Sequence, residues 1–168
     1  MNALHVVVMG VAGCGKSAVG RRLAEGLHLP LIEGDSFHPE ANIRKMEQGI
    51  ALTDADRAGW LQRLGQELSH HAAGAVLTCS ALKRSYRERL RVAVPDLRFV
   101  HLSLSPQDAM ERVAGRVGHF YPPSLVASQF EALEDPSGEP GVLVLDALLP
   151  IERVAGQALA NLATGRRV

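Results

Sequence analysis

Short apolar runs alternate along the chain with longer stretches in which apolar residues recur every three or four positions. The run LHVVVMG (4–10) is the first strand candidate, and its unbroken valines predict burial on both faces, as in a parallel sheet. A helix is predicted from Lys16 to Leu27, with Ala18, Val19, Leu23 and Leu27 along one side. LPLIE (29–33) reads as a second strand, followed by helical stretches over 39–48 and 54–73. In the second of these, Leu61, Leu64, Leu68 and Ala72 fall on one face, and Thr53 with Asp56 resembles a capping box. AVLTCS (75–80) is a third strand, a basic helix covers about 83–93, and RFVHLSL (98–104) is a fourth strand. Ser105 and Pro106 suit an N-cap and a first helical position, GVLVLD (141–146) is a fifth strand, and a last helix runs from about Pro150 to Leu162. Strands separated by helices imply βαβ units and a parallel sheet. The Gly- and Pro-rich stretches 115–124 and 135–141 read as loops, not as domain boundaries.

Composition narrows this picture. A chain of 168 residues is long enough for one domain with a single sizeable core. Its 18 Lys+Arg balance 18 Asp+Glu, which argues against a basic nucleic-acid binder and a polybasic membrane segment. The first apolar run is far shorter than the ~20 residues that span a bilayer, and it lacks the cationic flank of a signal peptide. Cys14 and Cys79 make neither a disulfide framework nor a zinc spacing. The expectation is a reduced, cytoplasmic protein. Cys79 ends the strand expected to flank the loop that holds Cys14, so oxidation of the pair is a candidate block on that loop.

GVAGCGKS (10–17) fits G-x-x-x-x-G-K-[ST] without departure, between a predicted strand and a predicted helix, which is the context this phosphate-binding loop requires. Its glycines let the backbone wrap closely around phosphate oxygens, and the helix N-terminus adds its dipole. Gly10, Val11, Ala12, Gly13, Cys14, Gly15, Lys16, Ser17 and Ala18 are the candidate ATP contacts. Lys16 is expected to reach the β- and γ-phosphates, and Ser17 to offer its hydroxyl to Mg²⁺. No N-K-x-D guanine-reading motif is present, so a GTPase is disfavoured, and the chain is short for a free-standing motor. A small kinase with an acceptor-binding insertion is the economical reading.

A kinase needs an acceptor hydroxyl in line with the γ-phosphate and a carboxylate to take its proton. In open α/β sheets the ligand crevice lies beyond the carboxyl ends of the strands, where Asp35 follows the second strand. Asn42 and Lys45, three apart, and Gly49, four further on, give one helix face able to present amide and ammonium groups to a polar ligand.

GDSFHPEANIRKMEQGIALTDADRAGWL (34–61) resembles the signature G-D-x-x-H-P-x-x-N-x-x-K-M-x-x-G-x-P-L-x-D-x-D-R-x-P-W-L of the gluconate kinase family. CSALKRSYRERLR (79–91) and GHFYPPSLVASQFEALEDP (118–136) are similar to two further segments of that family, so matching stretches cover nearly the whole chain. Two departures are Ala51 and Gly59, where the family pattern has proline. The resemblance implies a single α/β P-loop kinase domain over 1–168: a three-layer sandwich around a five-stranded parallel sheet. It also implies a substrate-binding insertion at about 36–73 and a lid at about 112–130. The implied reaction joins ATP and D-gluconate, with Mg²⁺, to give ADP and 6-phosphogluconate, in an enzyme expected to be a homodimer. Rivals are a kinase of the same fold acting on shikimate or another small sugar acid, and a nucleotide-binding regulator without turnover.

On that reading Asp35 receives the 6-hydroxyl proton and approaches Mg²⁺ through water, and His38, Asn42, Lys45 and Arg57 are candidate sugar-acid contacts. Lys83 and Arg87 join them because they match the family motif at a strand's carboxyl end. Arg112 and Arg116, four apart, are candidates to face the triphosphate, one of them as an arginine finger in cis. By analogy with related kinases, Arg112 and Pro150 are expected to sandwich adenine, and His119 to reach the substrate from the lid.

Overall fold

The computed structural model describes residues 3–115, 122 and 124–164. Five strands form one sheet: β1 (Leu4–Met9), β2 (Leu31–Glu33), β3 (Gly74–Thr78), β4 (Arg98–Ser103) and β5 (Val142–Asp146). The helices are α1 (Lys16–Leu27), α2 (Glu40–Glu47), α3 (Asp54–His70), α4 (Arg84–Ala93), α5 (Pro106–Ala114), α6 (Ser124–Ala132) and α7 (Ile151–Thr164). All pairings are parallel, in the order β2-β3-β1-β4-β5. Val6 of β1 lies in register with Val76 of β3 and Arg98 of β4.

Alternation along the strands builds two cores. Val6, Val8, Val76 and Val100 pack on one face against Val19 and Leu23 of α1 and Val154 and Ala158 of α7. Val7, Met9, Leu77 and Phe99 pack on the other against Trp60, Leu61, Leu64 and Leu68 of α3 and Tyr86 and Leu90 of α4. Each buried aliphatic side chain contributes about 1.5–3 kcal/mol. Every residue of β1 is buried, as its valine run predicts.

Helix starts follow the sequence signals. Thr53 Oγ1 accepts from Asp56 N at 3.1 Å while Asp56 Oδ2 accepts from Thr53 N at 2.9 Å, which closes the capping box. Ser105 Oγ accepts from Asp108 N at 3.1 Å ahead of Pro106. Two details differ. Ala72 lies past the end of α3 and is exposed, since the helix stops at His70. Helix α6 was not expected as a separate element. Its Leu125 and Val126 are buried, but Gly- and Pro-rich sequence on either side hides that short apolar stripe.

Candidate active site

The phosphate loop leaves β1 at Gly10, whose amide donates to Ser80 O at 3.3 Å, and closes into α1. Gly10 has φ +146°, and a Cβ there would lie 2.7 Å from Cys14 Sγ, so the turn requires glycine. Gly15 is the N-cap of α1 in the left-handed region, and no side chain caps the helix. The first-turn amides therefore stay open for an anion. Lys16 Nζ donates to Gly10 O at 3.0 Å and Val11 O at 3.1 Å, folded along the loop it is expected to serve.

From α5, Arg112 donates to Gly13 O at 3.2 Å and to Ala147 O at 2.8 Å. The loop and the β5–α7 turn, which carries Pro150, are thus tied together by one guanidinium. Arg116 and His119 lie outside the described residues.

The acceptor arm begins at the carboxyl end of β2, where residues Gly34–Phe37 form a 3₁₀ turn. A Cβ on Gly34 would sit 2.2 Å from Thr78 O, so glycine is what lets the turn close on β3. Trp60 Nε1 donates to Gly34 O at 2.8 Å and fixes the turn against α3. Asp35 then projects outward with its side chain 89% exposed. Two residues before it, Glu33 reaches the phosphate loop, where its Oε2 accepts from Ser17 Oγ at 3.1 Å.

Behind Asp35 the arm is cross-braced. The His38 ring stacks on Trp60 at 4.0 Å, and its Nε2 lies 3.9 Å from Asp35 Oδ1. Burial pushes the His38 imidazole below its ordinary range, opposed in part by Asp35. Asn42 Nδ2 donates to Asp56 O at 2.9 Å and lies 3.3 Å from His38 Nδ1. An amide NH₂ only donates, so this network assigns the ring proton to Nε2, the nitrogen that faces Asp35.

Lys45 Nζ donates to both Asp56 carboxylate oxygens at 2.8 and 2.9 Å, and those bonds chiefly hold that carboxyl down at about 2. Arg57 donates to Leu52 O at 2.8 Å and to Tyr86 Oη at 3.2 Å. Asp54 accepts from Tyr86 Oη and from Lys83 Nζ, which lowers its pKa and, through the bond to Asp54, raises that of Lys83.

One sequence expectation is corrected. Arg87 is not an acceptor contact, for it is wholly buried. Its guanidinium is spent on Glu139 at 2.6 and 3.0 Å and on the carbonyls of Ala81, Leu82 and Glu134. It secures the strained β3–α4 turn, where Ala81 has φ +46°, to the 134–139 segment. Asn42, only 3% exposed with its NH₂ engaged, braces the arm. The two cysteines are free and buried, and burial drives the Cys79 thiol up to about 12, which leaves it a poor nucleophile at neutral pH.

A model of the AAA domain family matches residues 6–136. The gluconokinase of Gluconobacter oxydans (strain 621H) is 45% identical over 155 residues, covering 90% of this chain and 82% of that protein. The thermoresistant gluconokinase of Escherichia coli (strain K12) is 38% identical over 164 residues, covering 95% and 94%. The chain belongs to the gluconokinase family. A crystal structure of a gluconokinase from Sinorhizobium meliloti 1021 is 48% identical and covers 97% of this chain and 93% of its own, with a TM-score of 0.90. The α/β P-loop kinase fold expected for this family is the one observed.

Two residues of the site escaped the sequence reading. Glu33 Oε2 accepts from Ser17 Oγ at 3.1 Å and from Thr78 Oγ1 at 2.6 Å, which puts a carboxylate on the loop's own hydroxyl. Its signal is visible in retrospect: Glu33 and Asp35 are two apart at a strand end. Gln129, inside the matched SQF segment, accepts from Ala12 N at 2.6 Å, a contact that no local pattern announces.

Proposed function

We propose that this chain is a gluconokinase that transfers the γ-phosphoryl group of ATP to the 6-hydroxyl of D-gluconate, giving 6-phosphogluconate and ADP. The observation that carries the reading is Asp35. Its carboxylate stands exposed just past β2, two residues from the Glu33 that accepts from Ser17 of the phosphate loop, whereas Lys45, Asp54, Asp56 and Arg57 are each tied to protein partners. A carboxylate in that position is free to accept the hydroxyl proton as the phosphorus–oxygen bond forms. The relatives named gluconokinase supply the substrate.

The remaining roles follow the chemistry of each group. The open amides of α1 and Lys16 take the charge of the β- and γ-phosphates. Arg112, and Arg116 beyond the described residues, serve the triphosphate, and Arg112 with Pro150 flanks adenine. His38, Lys45, Arg57 and Lys83 serve the acceptor side, and His119, outside the described residues, is a further candidate contact for the substrate.

Among the described residues no group of three or more His, Cys, Asp or Glu is arranged to hold a metal by itself. Mg²⁺ keeps several waters and binds through few protein ligands plus phosphates. Ser17 is the residue that would hold it, with Glu33 on the same hydroxyl and Asp35 reaching it through water. Bound there, the ion neutralises charge on the phosphate oxygens. A homodimer in the cytoplasm completes the reading and rests on the family resemblance. Among the described residues, no helix is long and apolar enough to cross a membrane.

The test is ADP release from ATP and Mg²⁺, with and without a panel of acids. Gluconate is expected to accelerate release strongly over a slow basal rate. Acceleration by shikimate and not by gluconate, or a basal rate equal to the stimulated one, would contradict the assignment.

A further inference from the structure

Helix α6 touches both halves of the site. At its middle, Gln129 Oε1 accepts the amide of Ala12 at 2.6 Å, so one amide of the phosphate loop is held from outside by this helix. At its start, Ser124 Oγ lies 3.4 Å from where a Cβ on Gly49 would be, which places it against the turn that closes α2 in the acceptor arm. Val126 and the half-buried Phe130 share the core cluster that contains Val11 and Cys14 of the loop.

The chain just past its end is anchored. Glu134 N donates to Leu82 O at 2.8 Å, Glu134 Oε1 accepts from Arg84 N at 3.1 Å, and Arg87 holds Glu134 O. Arg84 and Arg87 belong to α4, whose Tyr86 binds Asp54 at the start of α3. One short helix therefore runs from the Gly49 turn to the phosphate loop, and the chain just past its carboxyl end is tied to Leu82, Arg84 and Arg87.

We propose that Gln129 is a positioning residue that couples acceptor binding to nucleotide binding. A sugar acid seated on the arm presses on the Gly49 turn and hence on the start of α6. The helix passes this to the phosphate loop through the Gln129–Ala12 hydrogen bond. Coupling of this kind appears as a change in the affinity of one ligand when the other is present, and the change is reciprocal. The inference rests on gluconate being the acceptor.

The experiment measures binding of a non-hydrolysable ATP analogue with Mg²⁺, by calorimetry, with and without saturating gluconate. The full-length wild type is compared with Gln129→Met, which keeps the length and helix propensity of the side chain but offers no strong acceptor. Gln129→Ala is a second variant, and thermal midpoints without ligands check the fold. In the wild type, gluconate is expected to tighten the analogue about fivefold or more, in the range usual for coupled sites. In both variants the ratio is expected to fall towards one while the analogue still binds. A ratio that stays at the wild-type value in Gln129→Met, or is already one in the wild type, overturns the inference. Gluconate turnover by the wild type tells these outcomes apart from a failed substrate assignment. If the wild type phosphorylates another acid and not gluconate, the proposed function falls and this inference falls with it.

Discussion

The donor and acceptor halves of the site are built from different materials. The phosphate loop works with backbone: glycines in left-handed conformations, uncapped amides at the start of α1, and a single lysine lying along the loop. The acceptor arm works with side chains that hold one another, such as Lys45 on Asp56, Lys83 and Tyr86 on Asp54, and Asn42 between Asp56 and His38. Backbone amides read charge and are indifferent to what carries it. Braced side chains fix the shape of whatever surface they form. On the proposed function, nucleotide binding is accordingly the generic half of this molecule and acceptor choice the particular one.

The largest effect that separates the halves is expected from Asp35→Ala. On the proposed role of Asp35 as proton acceptor, losing its carboxylate should lower kcat by about 10²–10⁴-fold. Affinity for the ATP analogue should stay within about twofold, because Asp35 is not part of the loop. Near-normal kcat would remove Asp35 from the chemistry.

Arg87→Ala tests whether bracing, and not contact, is the arginine's contribution. Removing one partner of a buried ion pair costs about 3–5 kcal/mol. At this chain length that corresponds to a thermal midpoint lower by about 6–20 °C. A stable variant with only a raised KM for gluconate would restore the contact reading.

His38 gives the arm a pH dependence. Burial sets its folded-state pKa below the ordinary 6.5, so the unfolded chain takes up the proton first. Its contribution to stability is complete above about 6.5 and is lost as pH falls through the lower folded value. Trp60, the single tryptophan, stacks on this ring, so its emission should change as pH falls below that point. The change should vanish in His38→Gln, and an identical titration in that variant would assign it elsewhere.

The smallest effect is expected at Gly59, in the second turn of α3, where a Cβ would meet nothing within 4 Å. Gly59→Ala should stabilise the protein by about 0.5–1 kcal/mol with unchanged kcat. A change in gluconate KM would show that the departure from the family's proline reaches the arm.

The same contrast governs how legible the molecule was. The loop's spacing, the strand–helix alternation and the capping box at Thr53 are local, and each sits where its signal predicts. Arg87 was expected at the acceptor because it matches the family motif at a strand's carboxyl end, and nothing in that motif announces Glu139, which lies fifty-two residues away in sequence. Gln129 stayed silent for a similar reason, since its partner Ala12 is one hundred and seventeen residues distant. The long signature after β2 named the acceptor, but which side chains brace and which reach outward is decided by packing against α3 and α4.

The most direct test of the central claim is ³¹P NMR of the product formed from ATP, Mg²⁺ and gluconate. A primary phosphate ester, its phosphorus split by the two methylene protons of carbon 6, is the predicted result. Inorganic phosphate alone, or an ester on a secondary hydroxyl split by one proton, would contradict it.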